Sequence, residues 1–120
     1  MRTAVAALLL LAAPGTSAQG RVVRWSHAES SKKIYFGNCP VRLIFTGTMV
    51  AAGPGDFSFA WKRSDGSMGP VRTIHAVRRN QAWRVHESWE LSATTRGWAQ
   101  LWIQSERQGS PVARFSVQCK

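Results

Sequence analysis

The chain has 120 residues, 44% of them hydrophobic, and its 16 Lys and Arg residues outnumber its 6 Asp and Glu residues. This length predicts a single domain, and the composition excludes a chain that is disordered throughout. Six carboxylates also leave little material for a carboxylate-rich metal cage or for the acid pair of a glycosidase.

The first 18 residues have the pattern of a signal peptide. Arg2 gives a positive start, residues 4–13 form an unbroken apolar run of ten, and Pro14-Gly15 interrupts it before the small residues 16–18. Ten apolar residues are about half of the roughly 20 that a membrane-spanning helix needs. The alternative is a buried N-terminal helix. We expect a signal peptide over 1–18, a domain over 19–120, a secreted or periplasmic location and no transmembrane segment.

Export changes the interpretation of the two cysteines, Cys39 and Cys119. In an oxidising compartment two cysteines are expected to form a disulfide. The bridge would close a loop of 81 residues, and the chain-entropy description gives about 4 kcal/mol for a loop of this length. A metal site built from cysteines and scattered histidines is the lesser alternative. We predict a structural disulfide between Cys39 and Cys119.

The positive charge of the chain is high, at +10, and it is still +9 without Arg2. Such a charge favours association with polyanions, namely anionic polysaccharide, lipid head groups or nucleic acid. The alternative is a compositional bias, because most of the basic residues are Arg and they are spread along the chain. Both interpretations stay open at this point.

Beyond the leader the hydrophobic pattern repeats every two residues, and Gly, Pro, Ser and Asp interrupt it at short intervals. Seven strand candidates result, at residues 21–27, 39–50, 56–63, 71–77, 81–91, 97–105 and 112–119. Their spacing of roughly ten residues predicts an all-β, immunoglobulin-like Greek-key sandwich of about seven antiparallel strands.

The alternation also predicts which side chains face the core. They are Val23, Trp25 and His27 in the first candidate, Val41, Leu43 and Phe45 in the second, Phe57, Phe59 and Trp61 in the third, Trp83, Val85, Trp89 and Leu91 in the fifth, and Ala113, Phe115 and Val117 in the seventh. Glu87 falls in the same phase as the apolar residues of the fifth candidate. It is therefore either paired with a cation or turned outward by a bulge.

The sixth candidate has an aromatic surplus on its outer side. If Ala99, Leu101 and Ile103 face the core, Trp102 and Gln100 face outward, as does Trp98. The third, sixth and seventh strands are neighbours in this fold, which predicts that Trp102 lies near three side chains of the flanking strands, Lys62, Arg114 and Ser116.

These residues predict a binding surface for a protein or glycan partner, formed by Trp102, Gln100, Lys62 and Arg114. Alternatively, Arg114 packs locally on the Trp102 ring, or a loop covers that ring. A shift of one residue in phase would bury Trp102 in the core instead.

Several segments resemble small secreted bacterial immunoglobulin-like domain proteins of unknown function. They are residues 39–47 (CPVRLIFTG), 61–66 (WKRSDG), 69–71 (GPV), 87–91 (ESWEL) and 97–101 (GWAQL). In such domains a strand opening with Cys-Pro is followed by a Trp-x-Arg-Ser-Asp-Gly turn, and a Cys closes the domain. The resemblance covers residues 39–119. It implies a β-sandwich and no catalytic or ligand-binding residue.

The sequence offers little for catalysis or metal binding. His27, His75 and His86 lie on three different strand candidates, and no Gly-x-Ser-x-Gly motif is present. We therefore expect a non-catalytic binding or envelope-associated module with no cofactor and no metal site. Charge-driven polyanion binding is the alternative, and a metal carrier or enzyme is the least favoured. The sequence leaves the natural partner and the oligomeric state open.

Overall fold

The computed structural model describes residues 21–120, so the signal peptide predicted at residues 1–18 lies outside the described residues. The described residues form nine strands: β1 (Val23–Ser30), β2 (Ile34–Gly37), β3 (Val41–Ala51), β4 (Gly55–Arg63), β5 (Arg72–Ala76), β6 (Ala82–Leu91), β7 (Thr95–Ile103), β8 (Gln108–Gly109) and β9 (Ala113–Cys119). Within residues 21–120 no helix is long and apolar enough to cross a membrane.

The strands form two sheets that pack face to face as a sandwich. One sheet has three strands in the order β1-β3-β6. The other has six strands, of which five follow one another in the order β2-β9-β7-β4-β5 and the short β8 pairs with β7; we call it the five-stranded sheet after this continuous order. Neighbouring strands are antiparallel except for β2, which runs parallel to β9. The all-β, immunoglobulin-like sandwich predicted from strand spacing is confirmed.

The core lies between the sheets and is filled by alternate residues of the long strands. The fully or nearly fully buried side chains include Leu43, Phe45, Met49, Phe57, Phe59, Trp61, Leu101, Ile103, Phe115 and Val117. The Trp61 ring packs directly against the backbone of Gly47. A Cβ atom at that position would lie only 2.9 Å from Trp61 Cζ2. A glycine in the middle of β3 is therefore required by the close approach of the indole ring.

The strand count differs from the prediction of about seven, because β2 and β8 are additional. They contain four and two residues, too few for an alternating pattern to stand out. After β1 the chain leaves the three-stranded sheet at residues 31–33 and continues in the other sheet as β2. The backbone N–H of Ser116 in β9 donates to the Lys33 carbonyl at 2.8 Å. Sheet switching of this kind depends on distant strands and leaves no periodic signal.

The turn between β7 and β8, together with the first residue of β8, holds the start of β1 in place. The Glu106 carboxylate accepts hydrogen bonds from the backbone N–H groups of Val22 and Val23, at 2.7 Å and 3.2 Å. The Gln108 side chain donates to the Val23 carbonyl at 3.3 Å. Two polar side chains thus satisfy backbone groups where the β1 ladder ends.

The predicted inward orientation of Trp25 and His27 is wrong. A register irregularity between Val23 and Trp25 interrupts the pairing of β1 with β3. Val23 stays buried, whereas Trp25 turns to solvent and stacks on His27, with ring centroids 5.8 Å apart. One extra residue in a strand reverses the side of every residue that follows, which explains the error.

Glu87 is paired, which was one of the two alternatives for this residue. It faces inward from an uninterrupted part of the β3–β6 ladder and forms an ion pair with Arg63 at the end of β4. The side chains keep exposed fractions of 16% for Glu87 and 20% for Arg63. The Arg63 guanidinium also lies 5.4 Å from the centroid of the Trp89 ring. The pair therefore joins the two sheets at a largely buried position.

The Cys39–Cys119 disulfide is present, with the two Cα atoms 5.5 Å apart. Cys39 lies just before β3 of the three-stranded sheet, and Cys119 ends β9 of the five-stranded sheet. The bridge is thus a covalent link between the two layers of the sandwich.

Candidate functional site

The candidate site is the solvent-facing side of the five-stranded sheet. Because Ala99, Leu101 and Ile103 of β7 are buried, the alternate residues of that strand point outward. We use the name aromatic–basic face for six outward residues of β4, β7 and β9: Lys62, Arg96, Trp98, Gln100, Trp102 and Arg114. Trp98 and Trp102 are half-buried and lie about 13 Å apart along β7, at strand rise.

Lys62 and Trp102 are in direct contact. The Lys62 ammonium nitrogen lies over the indole ring, 3.5 Å from its centroid. Lys62 is opposite Gln100 in the β4–β7 ladder, and Trp102 is opposite Ala60, so the contact is diagonal. The Trp102 ring is therefore packed locally against a cation, as one alternative in the sequence analysis proposed, but the cation is Lys62 and not Arg114.

Gln100 is held by the chain segment that leads into β9. Its side-chain nitrogen donates to the Ser110 carbonyl at 2.8 Å. Gly109 leaves room for this contact, because a Cβ atom there would lie 2.7 Å from Gln100 Cδ. The amide of Gln100 is therefore committed to an internal hydrogen bond.

Arg114 is not beside Trp102, contrary to the sequence prediction. In the β7–β9 ladder Arg114 lies opposite Trp98, and Ser116 lies opposite Arg96. Trp102 instead faces Gly109 of β8 on that side. The short hairpin between β7 and β9, which the sequence did not reveal, takes the place assigned to Arg114.

A shallow groove of about 310 Å³ lies beside Trp98, lined by Ser64, Arg96, Gly97, Trp98, Arg114 and Phe115. The Ser64 hydroxyl accepts a hydrogen bond from the Trp98 backbone N–H at 3.0 Å. A Cβ atom at Gly97 would collide with the Ser64 hydroxyl and lie 2.9 Å from the Phe115 ring. The glycine therefore lets the end of β4 approach β7 and shapes the groove.

The electrostatics of this face are dominated by cations. The carboxylate that faces outward from β4 is Asp56, at the far end of the strand, where it pairs with His75 of β5. Asp65 lies in the turn after β4, where hydrogen bonds from the Ser67 hydroxyl and backbone N–H lower the pKa of its carboxyl. Lys62, Arg96 and Arg114 thus form a positive surface interrupted by indole rings.

The three histidines do not converge. His27 and His86 project from the outer side of the three-stranded sheet, on its two edge strands, whereas His75 lies on the other sheet. His86 Nδ1 lies 3.2 Å from the Thr46 hydroxyl. Among residues 21–120, no group of three or more His, Cys, Asp or Glu side chains is arranged to hold a metal ion.

Two residues of the site were not nominated from the sequence, Arg96 and Trp98. The outward phase of Trp98 follows from the same alternation that identified Trp102, four residues further on. The sequence therefore already predicted that Trp98 faces outward, without naming it as a site residue. Arg96 shares that phase, so extending the pattern backwards along β7 would have added it.

Comparisons with known proteins show the fold and no sequence family. No family model and no curated protein matches the chain. The chain is similar to the CARDB domain of a Pyrococcus furiosus protein, solved in complex with di-metal ions. The TM-score is 0.60 at 7% identity, over 80% of this chain and 93% of that one.

A beta-glucosidase from Listeria innocua in complex with glucose is also similar in structure, with a TM-score of 0.48 at 8% identity. That alignment covers 78% of this chain and 16% of the enzyme. The likeness to the CARDB domain shows the fold alone: residues 21–120 form an immunoglobulin-like β-sandwich.

Proposed function

We propose that the protein is a non-catalytic binding module that acts in the periplasm or outside the cell. It contacts a protein or glycan partner of negative charge through the aromatic–basic face. The observation that carries this proposal is the position of Trp98 and Trp102 on the solvent side of β7, among Lys62, Arg96 and Arg114. The disulfide and the predicted signal peptide support the location.

The chemistry of the face suits recognition. Trp and Arg are enriched where proteins contact partners, because an indole ring buries a large area and a guanidinium forms several directed hydrogen bonds. Here Arg114 and Trp98 are direct cross-strand neighbours beside the groove. A carboxylate, phosphate or sulfate group of the partner would be bound by the cations while its apolar part packs on the rings.

Non-specific polyanion association is the second candidate, and the net charge of +10 favours it. It differs from the first in its dependence on salt. Binding driven by charge alone weakens steeply as ionic strength rises and does not depend on one indole ring.

The test is binding of the oxidised mature protein to a panel of glycans and polyanions, at low and high salt. Wild type is compared with Trp98→Ala and Trp102→Ala. The matched control is Trp25→Ala, since Trp25 is exposed on the opposite sheet. We expect binding that survives high salt and falls about tenfold in both β7 variants, while Trp25→Ala keeps wild-type affinity.

A stability measurement keeps the result interpretable. Leu101 is the buried neighbour of Trp102 on β7, and we expect Leu101→Ala to lower the free energy of unfolding by about 2 to 5 kcal/mol. Trp102→Ala should lower the melting temperature far less than Leu101→Ala does. Binding that vanishes with salt and is the same in all variants would favour polyanion association instead. Failure of every panel member, together with a large stability loss in Trp102→Ala, would contradict the proposed face.

A further inference from the structure

Within residues 21–120 no strand lies beyond β2 in the five-stranded sheet, and this free edge carries two highly exposed apolar side chains. Strand β2 is the terminal strand of that sheet. Ile34 is 83% exposed and Phe36 is 64% exposed, the two highest values among the large hydrophobic residues of the described chain. Large apolar side chains on an edge strand mark a site where another chain can pair.

The backbone of β2 presents its unpaired groups at these same two residues. The carbonyls of Lys33 and Gly37 accept hydrogen bonds from the N–H groups of Ser116 and Lys120, so the odd-numbered residues of β2 direct their backbone groups toward β9. Successive residues of a strand direct these groups to opposite sides. The N–H and C=O groups of Ile34 and Phe36 therefore point away from the sheet, toward the free edge.

The side chains of Ile34 and Phe36 face the same side of the sheet as the aromatic–basic face. Ile34 is aligned with Ser116 in β9, and Ser116 with Arg96 in β7. An added strand would thus lie along β2, with its outward side chains two strands away from Arg114 in β9 and three strands away from Arg96 in β7. Its apolar residues would pack on Ile34 and Phe36.

The positive charge beside this edge favours an acidic partner. Lys32 and Lys33 are exposed immediately before β2. A second copy of the mature chain would bring another net charge of +9, counted without Arg2, to the same place, and like charges oppose that association. A segment with Asp or Glu beside its apolar residues complements both features.

The chemistry favours a polypeptide over a glycan. The Lys62 ammonium occupies one face of the Trp102 ring, and the Gln100 amide is bonded to Ser110. These contacts reduce what the face offers to a sugar ring. The outward backbone groups of β2 and its two apolar side chains are instead what strand addition uses.

We infer that the partner is an acidic, extended polypeptide segment that adds as a strand to the free edge of β2, packs on Ile34 and Phe36 and is held by neighbouring cations. This inference rests on the proposed function, because the added strand would share the outer side of the five-stranded sheet.

The probe is a fluorescein-labelled, acetylated octapeptide in which Glu and Val alternate. Its counterparts are the octapeptide in which Lys replaces Glu, and a Glu-Val peptide with N-methylated Val residues that cannot donate backbone hydrogen bonds. Binding to the full-length mature protein is followed by fluorescence anisotropy. We expect binding of the Glu-Val peptide alone, because both the charge and the backbone donors are required.

Two variants of Phe36 separate its side chain from its backbone. Phe36→Glu places a carboxylate on the exposed side chain, and Phe36→Pro removes an outward N–H group that makes no bond to β9, a change that edge strands tolerate. Val77→Glu is the matched control, since Val77 is 59% exposed beyond β5, the opposite edge strand of the sheet. We expect each Phe36 variant to weaken binding about tenfold and Val77→Glu to stay within about twofold of wild type.

Several outcomes would overturn the inference. They are no binding of the Glu-Val peptide, equal binding of the Lys-Val or N-methylated peptide, and binding that ignores both Phe36 variants. A concentration-dependent dimer in sedimentation, lost in Phe36→Glu, would assign the edge to a second copy. Salt-resistant glycan binding that requires Trp98 or Trp102, with no peptide binding, would overturn strand addition and leave the proposed function standing.

Discussion

The ammonium nitrogen of Lys62 lies 3.5 Å from the centroid of the Trp102 indole ring on the outer side of the five-stranded sheet. Lys62 and Trp102 come from neighbouring antiparallel strands and are diagonal to one another. The contact covers one ring face with a cation and leaves the rest of the indole beside β8. It gives the aromatic–basic face a preformed geometry and explains why Trp102 is half-buried.

The first prediction concerns this contact. In a double-mutant cycle with Lys62→Gln and Trp102→Ala, we expect a coupling of about 0.5 to 1 kcal/mol in the free energy of unfolding, the range for an exposed cation–π pair. Urea denaturation of the four proteins measures it. The control cycle uses Arg114→Gln with Trp102→Ala, for which we expect no coupling, since Arg114 lies opposite Trp98. Equal coupling in both cycles would contradict the assigned pair.

The second prediction concerns the Arg63–Glu87 ion pair, whose side chains are about four-fifths buried. Glu87→Gln leaves the Arg63 charge without its counter-ion, so we expect a loss of about 2 to 3 kcal/mol in the free energy of unfolding, below the range for a fully buried pair. The double variant Arg63→Met with Glu87→Leu should lose less than the single variant. A double variant that is less stable than Glu87→Gln would show that the pair contributes more than its desolvation costs.

The third prediction concerns the disulfide between the two sheets. Replacing Cys39 and Cys119 together by Ser should lower the free energy of unfolding by roughly 4 kcal/mol, because the unfolded chain regains the entropy of a very long loop. Urea denaturation measures the difference, and wild type treated with a reducing agent should match the variant. A reduced protein as stable as the oxidised one would contradict the prediction.

The fourth prediction concerns pH and the turn after β4. Hydrogen bonds from the Ser67 hydroxyl and N–H hold the pKa of Asp65 below its usual value of 3.8. A carboxyl whose pKa is lower in the folded state than in the unfolded state stabilises the folded protein at pH values above the unfolded-state pKa. This stabilisation is lost as the pH falls through the folded-state pKa. Ser67→Ala should raise the Asp65 pKa measured by carbon NMR. Its stability deficit should be largest near neutral pH and shrink below pH 3.8. A deficit that is constant with pH would contradict this account.

Much of the candidate site followed from alternation alone. The outward phase of Lys62 and Trp102 could be read from the apolar residues on either side of them, and the neighbouring order of β4, β7 and β9 followed from the fold class. The cross-strand partner of Arg114 could not be read in this way. Cross-strand alignment depends on the hairpin between β7 and β9, where the two residues of β8 take the place beside Trp102.

The sequence by itself determined the period of two, and with it the sandwich class and the buried faces of β3, β4, β7 and β9. Its two cysteines also determined their pairing. Only the tertiary structure decided that Trp25 turns outward, that β2 joins the second sheet, and that Arg63 neutralises Glu87. The physical reason is the distance along the chain over which each feature is determined. Side-chain alternation is a local property of each strand, whereas bulges, sheet switching and ion pairs between layers depend on contacts between residues far apart in the chain.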